Sequence, residues 1–371
     1  MEDMVNPHPA NQDPFACWRG RRVFLTGHTG FKGGWLALWL AARGAVVRGF
    51  ALDPPTQPNM FTAASIAGDL DDVRGDIRDY PRLESALRDF APEVVVHLAA
   101  QPLVRHSYTD PLGTYAINVM GTAHVLEAVR KTSSVRAVVC ITTDKCYQDQ
   151  DWEWPYRETD PLGGYDPYAS SKACAELVAA AFRSSYFASD RSGEHSVALA
   201  TARAGNVVGG GDWSPDRLVP DLVRGFEGGE PVPIRNPKAI RPWQHVLDAS
   251  RGYLLVAERL LENGQSYARS FNFGPPETEA WSVERIAARF AQRWGPGASW
   301  IPDPSANPHE SRVLRVDSSR ARIELGWKPR LNTEAALDWT LDWYRARRDG
   351  ANMRQKTLAQ IDAFEKLNCS G

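Results

Sequence analysis

Short apolar runs alternate with longer amphipathic stretches from residue 21 to about residue 205 of the 371-residue chain. Five runs rich in β-branched residues are apolar on both faces, which predicts buried parallel strands at 23–26, 46–52, 94–98, 135–142 and 197–202. Apolar residues at helical spacing between them predict helices at 34–43, 80–90, 111–132 and 167–186. The repeated strand–helix–strand pattern predicts an α/β fold with a doubly wound parallel sheet.

The pattern changes after residue 205, where Gly and Pro become frequent and helical spacing returns only at 246–261, 283–294 and 333–347. This predicts a sheet domain over 21–205 and a smaller, mainly substrate-binding lobe over 206–371 at the carboxyl edge of the sheet. Part of 235–280 is a candidate for a return to the sheet. Residues 1–20 contain acids and prolines without an apolar run, which indicates a disordered tail and no signal peptide.

Composition and charge narrow the classes of function. The net charge of −2 gives no indication of a nucleic-acid-binding surface. No uncharged apolar stretch is long enough to span a membrane. The five cysteines are scattered and lack a CxxC pair, which argues against a disulfide framework or a zinc site and fits a reducing cytoplasm.

The first predicted strand leads directly into a glycine-rich loop, GHTGFKG at 27–33, which is followed by a helix. The spacing GxxGxxG at this place predicts close contact with a dinucleotide pyrophosphate at a helix N-terminus, as in Rossmann-like domains. The candidate contacts are Gly27, Gly30, Phe31 and Gly33. Asp53 ends the second strand twenty residues later and is expected to bind the adenosine ribose, favouring NAD over NADP. A turn or N-cap role before Pro54 is the alternative.

Further cofactor contacts are predicted at the ends of other strands. A further short strand is expected just before Gly75, between the runs 46–52 and 94–98, and counts as the third strand. Asp76 and Ile77 follow it, where the aspartate is placed to reach the adenine amino group. Leu98 and Ala99 end the fourth strand with small or apolar side chains that let a cofactor lie close. Thr142 ends the fifth strand and is a further candidate.

A second group of residues carries the chemistry of acid–base catalysis. Tyr168 and Lys172 are four residues apart at the start of a predicted helix and share one face, so the ammonium is expected beneath the phenol, where it favours phenolate. Taken alone, this YxxxK motif is weak, because exposed helices produce it often. The run Thr143-Asp144-Lys145 adds a hydroxyl, an acid and an amine at the end of the fifth strand. A turn with a surface ion pair is the alternative, but the glycine loop and Asp53 favour an active site.

With these motifs, the chain resembles the extended short-chain dehydrogenases/reductases. The Asp144–Lys145 pair resembles the acid/base pair of the 4,6-dehydratase branch, although dTDP-glucose members carry Glu where Lys145 stands. CDP-glucose 4,6-dehydratases resemble the chain from about Arg21 to Trp343, and often carry Ser where Thr143 stands. Their matching stretches include GHTGFKGGWLALWL, LAAQPLVRHSY, TDKCY, DPLGGYDPYASSKACAEL, ARAGNVVGGGDW and IRPWQHV.

The resemblance implies that CDP-glucose is converted to a 4-keto-6-deoxy product through NAD, a reaction of deoxysugar biosynthesis such as that of O-antigen lipopolysaccharide. It implies that Tyr168 removes the C4 hydroxyl proton, Thr143 hydrogen-bonds the sugar oxygen, and Lys172 holds Tyr168 and the nicotinamide ribose. Lys145 is the favoured C5 base and Asp144 the favoured acid for the departing C6 hydroxyl, but the two roles stay open between them. A lysine base must be neutral, which Lys172 and bound NAD would favour.

The diphosphate of such a substrate needs local cations and donors. The substrate candidates are Gln101, Asn206, Arg217, Arg241, Gln244 and Glu310, each of which has a surface ion pair or a solvated side chain as its alternative. The resemblance also implies a homodimer, or a dimer of dimers, formed through the helices at 111–132 and 167–186.

Three alternative functions stay open. The first is a UDP-N-acetylglucosamine 4,6-dehydratase. The second, a sugar-nucleotide epimerase or reductase of the same fold, is disfavoured because it has no need of Asp144 and Lys145. The third, a non-catalytic NAD-binding sensor, is disfavoured by the complete set of Thr143, Tyr168 and Lys172.

Overall fold

The computed structural model describes residues 16–188, 196–305 and 311–367. Its centre is a sheet of seven parallel strands in the order β7-β6-β5-β4-β1-β2-β3. The strands β1 to β7 are, in chain order, Arg22–Thr26, Val46–Ala51, Asp71–Arg74, Val94–His97, Ala137–Ile141, Ala198–Ala204 and Ser270–Phe273. The doubly wound α/β fold is confirmed, and the strand order reverses between β1 and β4, where such sheets bind ligands.

Both faces of the sheet are buried except at the edge strand β3, which explains why the other strands are apolar without alternation. On β1, Val23 and Leu25 belong to one apolar core, whereas Phe24 belongs to the core on the opposite face. The first core is covered by Phe31–Ala42, Val246–Asn263, Thr333–Arg348 and Met353–Lys366. The second core is covered by Tyr80–Phe90, Gly121–Arg130 and Pro167–Ser185.

The remaining elements are shorter. Three two-stranded sheets pair Val207–Val208 with Gln244–His245, Ile240–Arg241 with Trp281–Ser282, and Val232–Ile234 with Trp300–Pro302. The other α-helices are Met60–Ala63, Val104–Thr109, Pro111–Tyr115, Leu218–Gly228, Val283–Trp294 and Ser319–Leu325. Short 3-10 turns occur at Ala16–Trp18, Ile66–Asp69, Asp144–Cys146, Gly264–Tyr267 and Glu277–Glu279.

The chain after residue 205 is divided between the two lobes. Strand β7 lies within 235–280 and pairs with β6, so this segment returns to the sheet. The C-terminal helices lie against the first helix of the sheet domain, where the Trp39 indole meets the Phe364 ring edge-on at 5.7 Å. Trp39 Nε1 also donates to Glu365 at 2.6 Å. The apolar helices of the segment 206–371 therefore also complete the first core.

The predicted disordered segment 1–20 includes residues that the structure describes as ordered. Residues 1–15 lie outside the described residues, but Ala16–Trp18 form an ordered turn. Trp18 is fully buried in the first core, and its Nε1 donates to Glu258 at 2.7 Å. This burial corrects the expectation of a disordered segment through residue 20.

The predicted helix at 111–132 is interrupted by a π-helical turn, Ala116–Met120. Gly121 follows this turn, where a Cβ would lie 2.4 Å from Cδ1 of Ile77. The turn carries Asn118, whose Nδ2 donates to the Gln101 carbonyl at 3.0 Å and to Ser171 Oγ at 2.9 Å. The irregular turn thus ties the loop after β4 to the helix that carries Tyr168.

The described residues contain neither a membrane-spanning helix nor a cluster of metal ligands. Across 16–188, 196–305 and 311–367, no helix has the length and apolarity needed to cross a membrane. The same part of the chain holds no group of three or more His, Cys, Asp or Glu residues arranged for a metal ion.

Candidate active site

The glycine loop forms a tight cradle between β1 and β4. Gly27 has φ +80°, and a Cβ there would lie 2.7 Å from the Ala99 backbone nitrogen. A Cβ on Gly33 would lie 2.1 Å from the Gly27 carbonyl oxygen. Only glycine at position 33 therefore lets the helix pack this closely against the loop. Gly30 is the N-cap and offers no side-chain cap, which leaves first-turn amides to meet an anion. This geometry fits the pyrophosphate of a dinucleotide.

A hydrogen-bonded chain fixes the backbone opposite this loop. The Ala99 amide donates to Thr26 Oγ1 at 3.2 Å, and the same hydroxyl contacts His97 Nδ1 at 2.7 Å. Burial, with a smaller effect of Lys172, lowers the pKa of His97 to about 3, so this imidazole is neutral. Leu98 and Ala99 are therefore held rigidly beside the position expected for the cofactor.

The structure adds an unexpected cation to the predicted ribose site. The Asp53 side chain is 91% exposed, and its Oδ1 lies 3.6 Å from Nη1 of Arg74 at the end of β3. Arg74 also pairs with Asp72 at 2.8 Å. An arginine at this place weakens the repulsion that Asp53 alone would exert on a 2′-phosphate.

The predicted adenine contacts, Asp76 and Ile77, are engaged with neighbouring residues. Arg78 pairs with Asp76 at 2.6 Å, and this hydrogen bond lowers the pKa of the Asp76 carboxyl below its usual range, against burial. The Ile77 side chain is buried, and its carbonyl accepts a hydrogen bond from His124 Nδ1 at 3.0 Å. Asp76 is thus held ionised at the edge of the sheet.

Four of the predicted catalytic residues line one cavity of about 310 Å³: Thr143, Asp144, Lys145 and Tyr168. Thr143 Oγ1 donates to Asp144 Oδ1 at 3.1 Å and accepts from the Lys145 amide at 3.3 Å. Asp144 Oδ2 is buried and has no hydrogen-bond partner among the described residues. Gly205 lies against it, since a Cβ there would come within 2.9 Å of Oδ2. The cavity wall therefore presents an unsatisfied carboxylate oxygen.

Tyr168 and Lys172 lie on the helix Pro167–Ser185, whose N-cap Asp166 accepts a hydrogen bond from the Ala169 amide at 2.8 Å. Burial raises the pKa of Tyr168 to about 12, although hydrogen bonding with Thr143 and the Arg217 charge oppose the rise. Burial lowers the pKa of Lys172 to about 8.

The Lys172 ammonium differs from its predicted position. It donates to the Ile141 carbonyl at 3.2 Å, behind the cavity wall, because a buried ammonium needs an acceptor and the end of β5 provides one. Arg217 is therefore the cation that acts most strongly on the Tyr168 phenol.

Three of the predicted substrate ligands line the cavity: Asn206, Arg217 and Arg241. Arg217 Nη1 pairs with Asp212 at 2.8 Å, and Arg241 Nη1 donates to the Ile240 carbonyl at 2.8 Å. Two guanidinium groups thus line the cavity.

Two of the other predicted ligands, Gln101 and Gln244, do not join this group. The Gln101 Nε2 donates to Thr114 Oγ1 at 2.9 Å, and the Gln244 Nε2 donates to the Phe273 carbonyl at 2.7 Å. Neither side chain lines the cavity, because both amides hold neighbouring segments together. Glu310 lies outside the described residues.

Sequence reasoning missed Lys32, which also lines the cavity. Burial and the nearby charges of Arg217 and Lys172 lower its pKa to about 8. A signal was available, because a lysine in the first turn of a helix opposes the helix dipole and needs another reason to be there.

A second missed feature lies at the mouth of the cavity. Arg105 from the sheet domain and Arg235 from the smaller lobe both approach Asp216, at 3.3 and 3.5 Å. All three residues line the cavity. No local pattern signals this contact, since Arg105 and Asp216 are 111 residues apart in sequence.

The doubly wound sheet, the glycine loop at its switch point, and the Thr143–Tyr168–Lys172 set define an extended short-chain dehydrogenase/reductase. The sequence model of the GDP-mannose 4,6-dehydratase family matches residues 24–340. The chain belongs to this family. It is 50% identical over 336 residues to the CDP-glucose 4,6-dehydratase of Salmonella typhimurium, covering 91% of this chain and 94% of that protein.

Solved structures share the fold. The dTDP-glucose 4,6-dehydratase DesIV from Streptomyces venezuelae, solved with NAD bound, has a TM-score of 0.73 at 24% identity and covers 89% of this chain and 98% of that one. TunA, an NAD-dependent NDP-hexosamine 5,6-dehydratase of tunicamycin biosynthesis, has a TM-score of 0.73 at 26% identity, with 88% and 98% covered.

Proposed function

We propose that this protein converts CDP-D-glucose to CDP-4-dehydro-6-deoxy-D-glucose, with NAD as internal redox cofactor and loss of water. The observation that carries the proposal is the unpartnered Asp144 Oδ2 in the same cavity as Lys145 and Tyr168. As acid–base groups, oxidation at C4 requires only the tyrosine, whereas elimination of water also requires a further acid and a further base. The choice of the cytidine nucleotide is supported by the name of the 50%-identical Salmonella protein.

The glycine cradle is the proposed site for NAD. Gly27, Gly30, Phe31 and Gly33 would hold the pyrophosphate, with Asp53 at the adenosine ribose. The remaining proposed contacts are Asp76, Ile77, Leu98, Ala99, Thr142, Tyr168 and Lys172. When bound, NAD supplies the acceptor for hydride from C4 and returns this hydride at C6.

Proton removal from the C4 hydroxyl is the proposed role of Tyr168. Its pKa of about 12 without ligands means that ionisation near neutral pH needs stabilisation by cations. Arg217 supplies one such charge, and Lys172, one helical turn away, supplies another once its ammonium reorients from the Ile141 carbonyl. Thr143 is placed to hydrogen-bond the same sugar oxygen.

Elimination follows from the acidity of C5–H beside a C4 ketone. Lys145 is the proposed base at C5, and Asp144 the acid that protonates the departing C6 hydroxyl so that it leaves as water. Asp166 faces Lys145: burial raises the pKa of the Asp166 carboxyl, while the Lys145 charge acts in the opposite direction. Asp144 and Lys145 are neighbours in one turn, consistent with proton transfers at the adjacent carbons C5 and C6.

The nucleotide diphosphate is proposed to meet Arg217, Arg241 and the Asn206 amide. Arg217 is paired with Asp212 in the structure, so the phosphates would compete with a carboxylate for it. Lys32 adds positive charge on the cofactor side of the same cavity.

We also propose a homodimer, or a dimer of dimers, through the helices that span 111–130 and Pro167–Ser185. These helices expose Leu112, Met120 and Leu177 at 81%, 52% and 58%, which is apolar surface that a partner would cover. Sedimentation analysis of wild type and Leu177→Glu tests the dimer, and an unchanged dimer in the variant would place the interface elsewhere.

A cytoplasmic location and a role in deoxysugar biosynthesis, such as that of O-antigen lipopolysaccharide, complete the proposal. The free state of Cys17, Cys140, Cys146 and Cys174 supports a reducing compartment. The proposed 4-keto product is chemically reactive, which supports the proposal that a further enzyme consumes it.

The direct test is incubation of the purified protein with CDP-glucose, UDP-glucose, dTDP-glucose and UDP-N-acetylglucosamine, with detection of the 4-keto-6-deoxy product by mass spectrometry. We expect product from CDP-glucose, and none from any substrate with Tyr168→Phe. Preferential turnover of UDP-N-acetylglucosamine would replace the substrate assignment, and epimerised sugar without loss of water would refute dehydration.

A further inference from the structure

Glu176 is a buried carboxylate that the proposed mechanism does not use. It lies one helical turn after Lys172 in Pro167–Ser185, and its side chain is 2% exposed. Oε1 accepts a hydrogen bond from Thr142 Oγ1 at 2.5 Å, and Oε2 accepts from Thr201 Oγ1 at 2.7 Å. Oε2 also pairs with Arg203 Nη2 at 2.7 Å. The carboxylate therefore contacts the residue that directly precedes Thr143.

Arg203 extends the same network to the other end of the segment 143–146, which we call the catalytic turn. Its side chain is 3% exposed, and its Nη1 donates to the Tyr147 hydroxyl at 2.8 Å. That hydroxyl in turn donates to Asn272 Oδ1 at 2.6 Å. Thr142 and Tyr147 flank the segment 143–146, so one buried ion pair holds the catalytic turn at its beginning and its end.

The ion pair is charged in spite of its burial. Burial alone would raise the pKa of Glu176, but the Arg203 guanidinium and the hydrogen bonds lower it overall. Burial alone would lower the pKa of Arg203, but Glu176 raises it overall. Removing one member would leave an uncompensated buried charge and destabilise the folded state.

Glu176 is also the carboxylate whose charge acts on Lys172 from one helical turn away. The other titratable groups near this ammonium are Cys140 on β5, Cys146 on the catalytic turn, His97 on β4 and Lys32 on Phe31–Ala42. Burial raises the pKa of both thiols well above neutrality, to about 12 for Cys140, and His97 is neutral. Lys32 is a like charge.

We propose that Glu176, paired with Arg203, is a positioning residue of the reaction: it fixes the catalytic turn and keeps Lys172 an ammonium ion. The inference relies on the proposed function only where turnover of CDP-glucose is the readout. The two roles are separable, because one depends on the length of the side chain and the other on its charge.

Two substitutions separate these roles. Glu176→Asp keeps the charge but is one methylene too short to reach Thr142, so kcat is expected to fall on the order of a hundredfold. The alkaline limb of its pH profile should stay in place. Glu176→Gln keeps the length but loses the charge, so the alkaline limb should move down by about one pH unit. KM for CDP-glucose should stay near wild type in both, since Glu176 does not line the cavity.

A measurement without turnover separates this inference from the proposed function. NMR titration of ¹³C-labelled lysine, with the Lys172 signal assigned through Lys172→Arg, reports the ionisation of Lys172 directly. The midpoint should fall in Glu176→Gln and stay unchanged in Glu176→Asp. If wild type fails to turn over CDP-glucose, the proposed function is refuted, while the titration still decides the role of Glu176.

The matched control is Glu258→Gln, which neutralises another largely buried carboxylate but contacts Trp18 and Cys17. This control substitution should leave the midpoint of the Lys172 titration unchanged. If Glu176→Gln does not fold, Glu176→Gln/Arg203→Met removes both buried charges and should still lower the midpoint. A wild-type midpoint in the folded variants, with activity that follows only the folded fraction, would overturn the proposal.

Discussion

Thr143 Oγ1 donates to Asp144 Oδ1 at 3.1 Å, and this contact leaves the second oxygen of Asp144 buried without a partner among the described residues. An unsatisfied buried polar atom costs about 1–3 kcal/mol, so this oxygen is expected to gain a donor when a ligand binds. Thr143 also opposes the rise in the pKa of Tyr168, which lines the same cavity. Thr143 therefore connects the proposed base for C4 oxidation with the proposed acid for elimination.

Asp144→Asn should separate oxidation from elimination. The amide can still accept a hydrogen bond from Thr143, but it has no proton to give to the departing C6 hydroxyl. Turnover is expected to fall on the order of a hundredfold or more, the usual effect of losing a general acid. Enzyme-bound reduced nicotinamide should accumulate and be visible by its absorbance. Tyr168→Phe is the control, in which no reduced nicotinamide should form. Normal turnover of Asp144→Asn would make Asp144 a structural residue.

Cofactor choice is expected to depend on Asp53 and Arg74 together. Wild type should prefer NAD, and Asp53→Ala should strengthen NADP binding roughly tenfold, because Arg74 can then pair with the 2′-phosphate. Asp53→Ala/Arg74→Gln should lose this gain. Calorimetric titration with both dinucleotides measures the effect. Equal affinity of wild type for NAD and NADP would contradict the assignment of Asp53.

The parts of the fold that follow from local patterns were predictable. The apolar runs of β1, β2, β4, β5 and β6 are visible in the sequence because both faces of the sheet are buried there, whereas β3 is a polar strand without such a run. The π turn at Ala116–Met120 was not predictable, since it depends on packing of Gly121 against Ile77. The burial of Trp18 likewise depends on the distant Glu258.

The candidate site likewise has features that the sequence predicts and features that it does not. Thr143, Asp144 and Tyr168 come together because they end a strand or begin a helix at one edge of the sheet. Side-chain direction was not predictable, and it turns Gln101 toward Thr114 and the Lys172 ammonium toward Ile141. Those directions are set by the need of buried polar groups for partners, which no sequence spacing reveals.

Glu258→Gln should change how stability depends on pH. Burial raises the pKa of Glu258 to about 7, although the hydrogen bond from Trp18 opposes the rise. A raised carboxyl pKa means that the folded state favours the neutral form, so its stabilisation is present below the unfolded pKa of about 4.3 and is lost as pH rises through about 7.

The Tm of Glu258→Gln should therefore rise relative to that of wild type as pH increases from about 5 to about 8. The glutamine keeps an acceptor for the Trp18 indole and has no charge to develop. Asp248, whose pKa burial also raises to about 7, acts equally in both proteins and cancels in the comparison. Calorimetry across this range tests the prediction, which a constant difference would contradict.

Lys145→Met should block deprotonation at C5 while leaving oxidation at C4 intact. The Met side chain has similar length but cannot accept a proton, so C5 exchange should fall on the order of a hundredfold or more. In deuterated water, wild type should incorporate deuterium at C5, whereas Lys145→Met should form reduced nicotinamide without incorporation. Lys145→Glu offers a comparison, because it restores a possible base but reverses the charge beside Asp144 and Asp166.

The test depends on the order of the two steps, since exchange at C5 requires the C4 ketone to form first. Reduced nicotinamide must therefore be measured in the same samples, and its absence would indicate damage to the Tyr168 site instead of loss of the C5 base. Asp166→Asn is the second comparison, because Asp166 is the half-buried carboxyl whose pKa is raised by burial while the Lys145 charge opposes the rise. If Lys145→Met exchanges deuterium at the wild-type rate and Asp166→Asn does not, the base is Asp166, and Lys145 acts only through its charge.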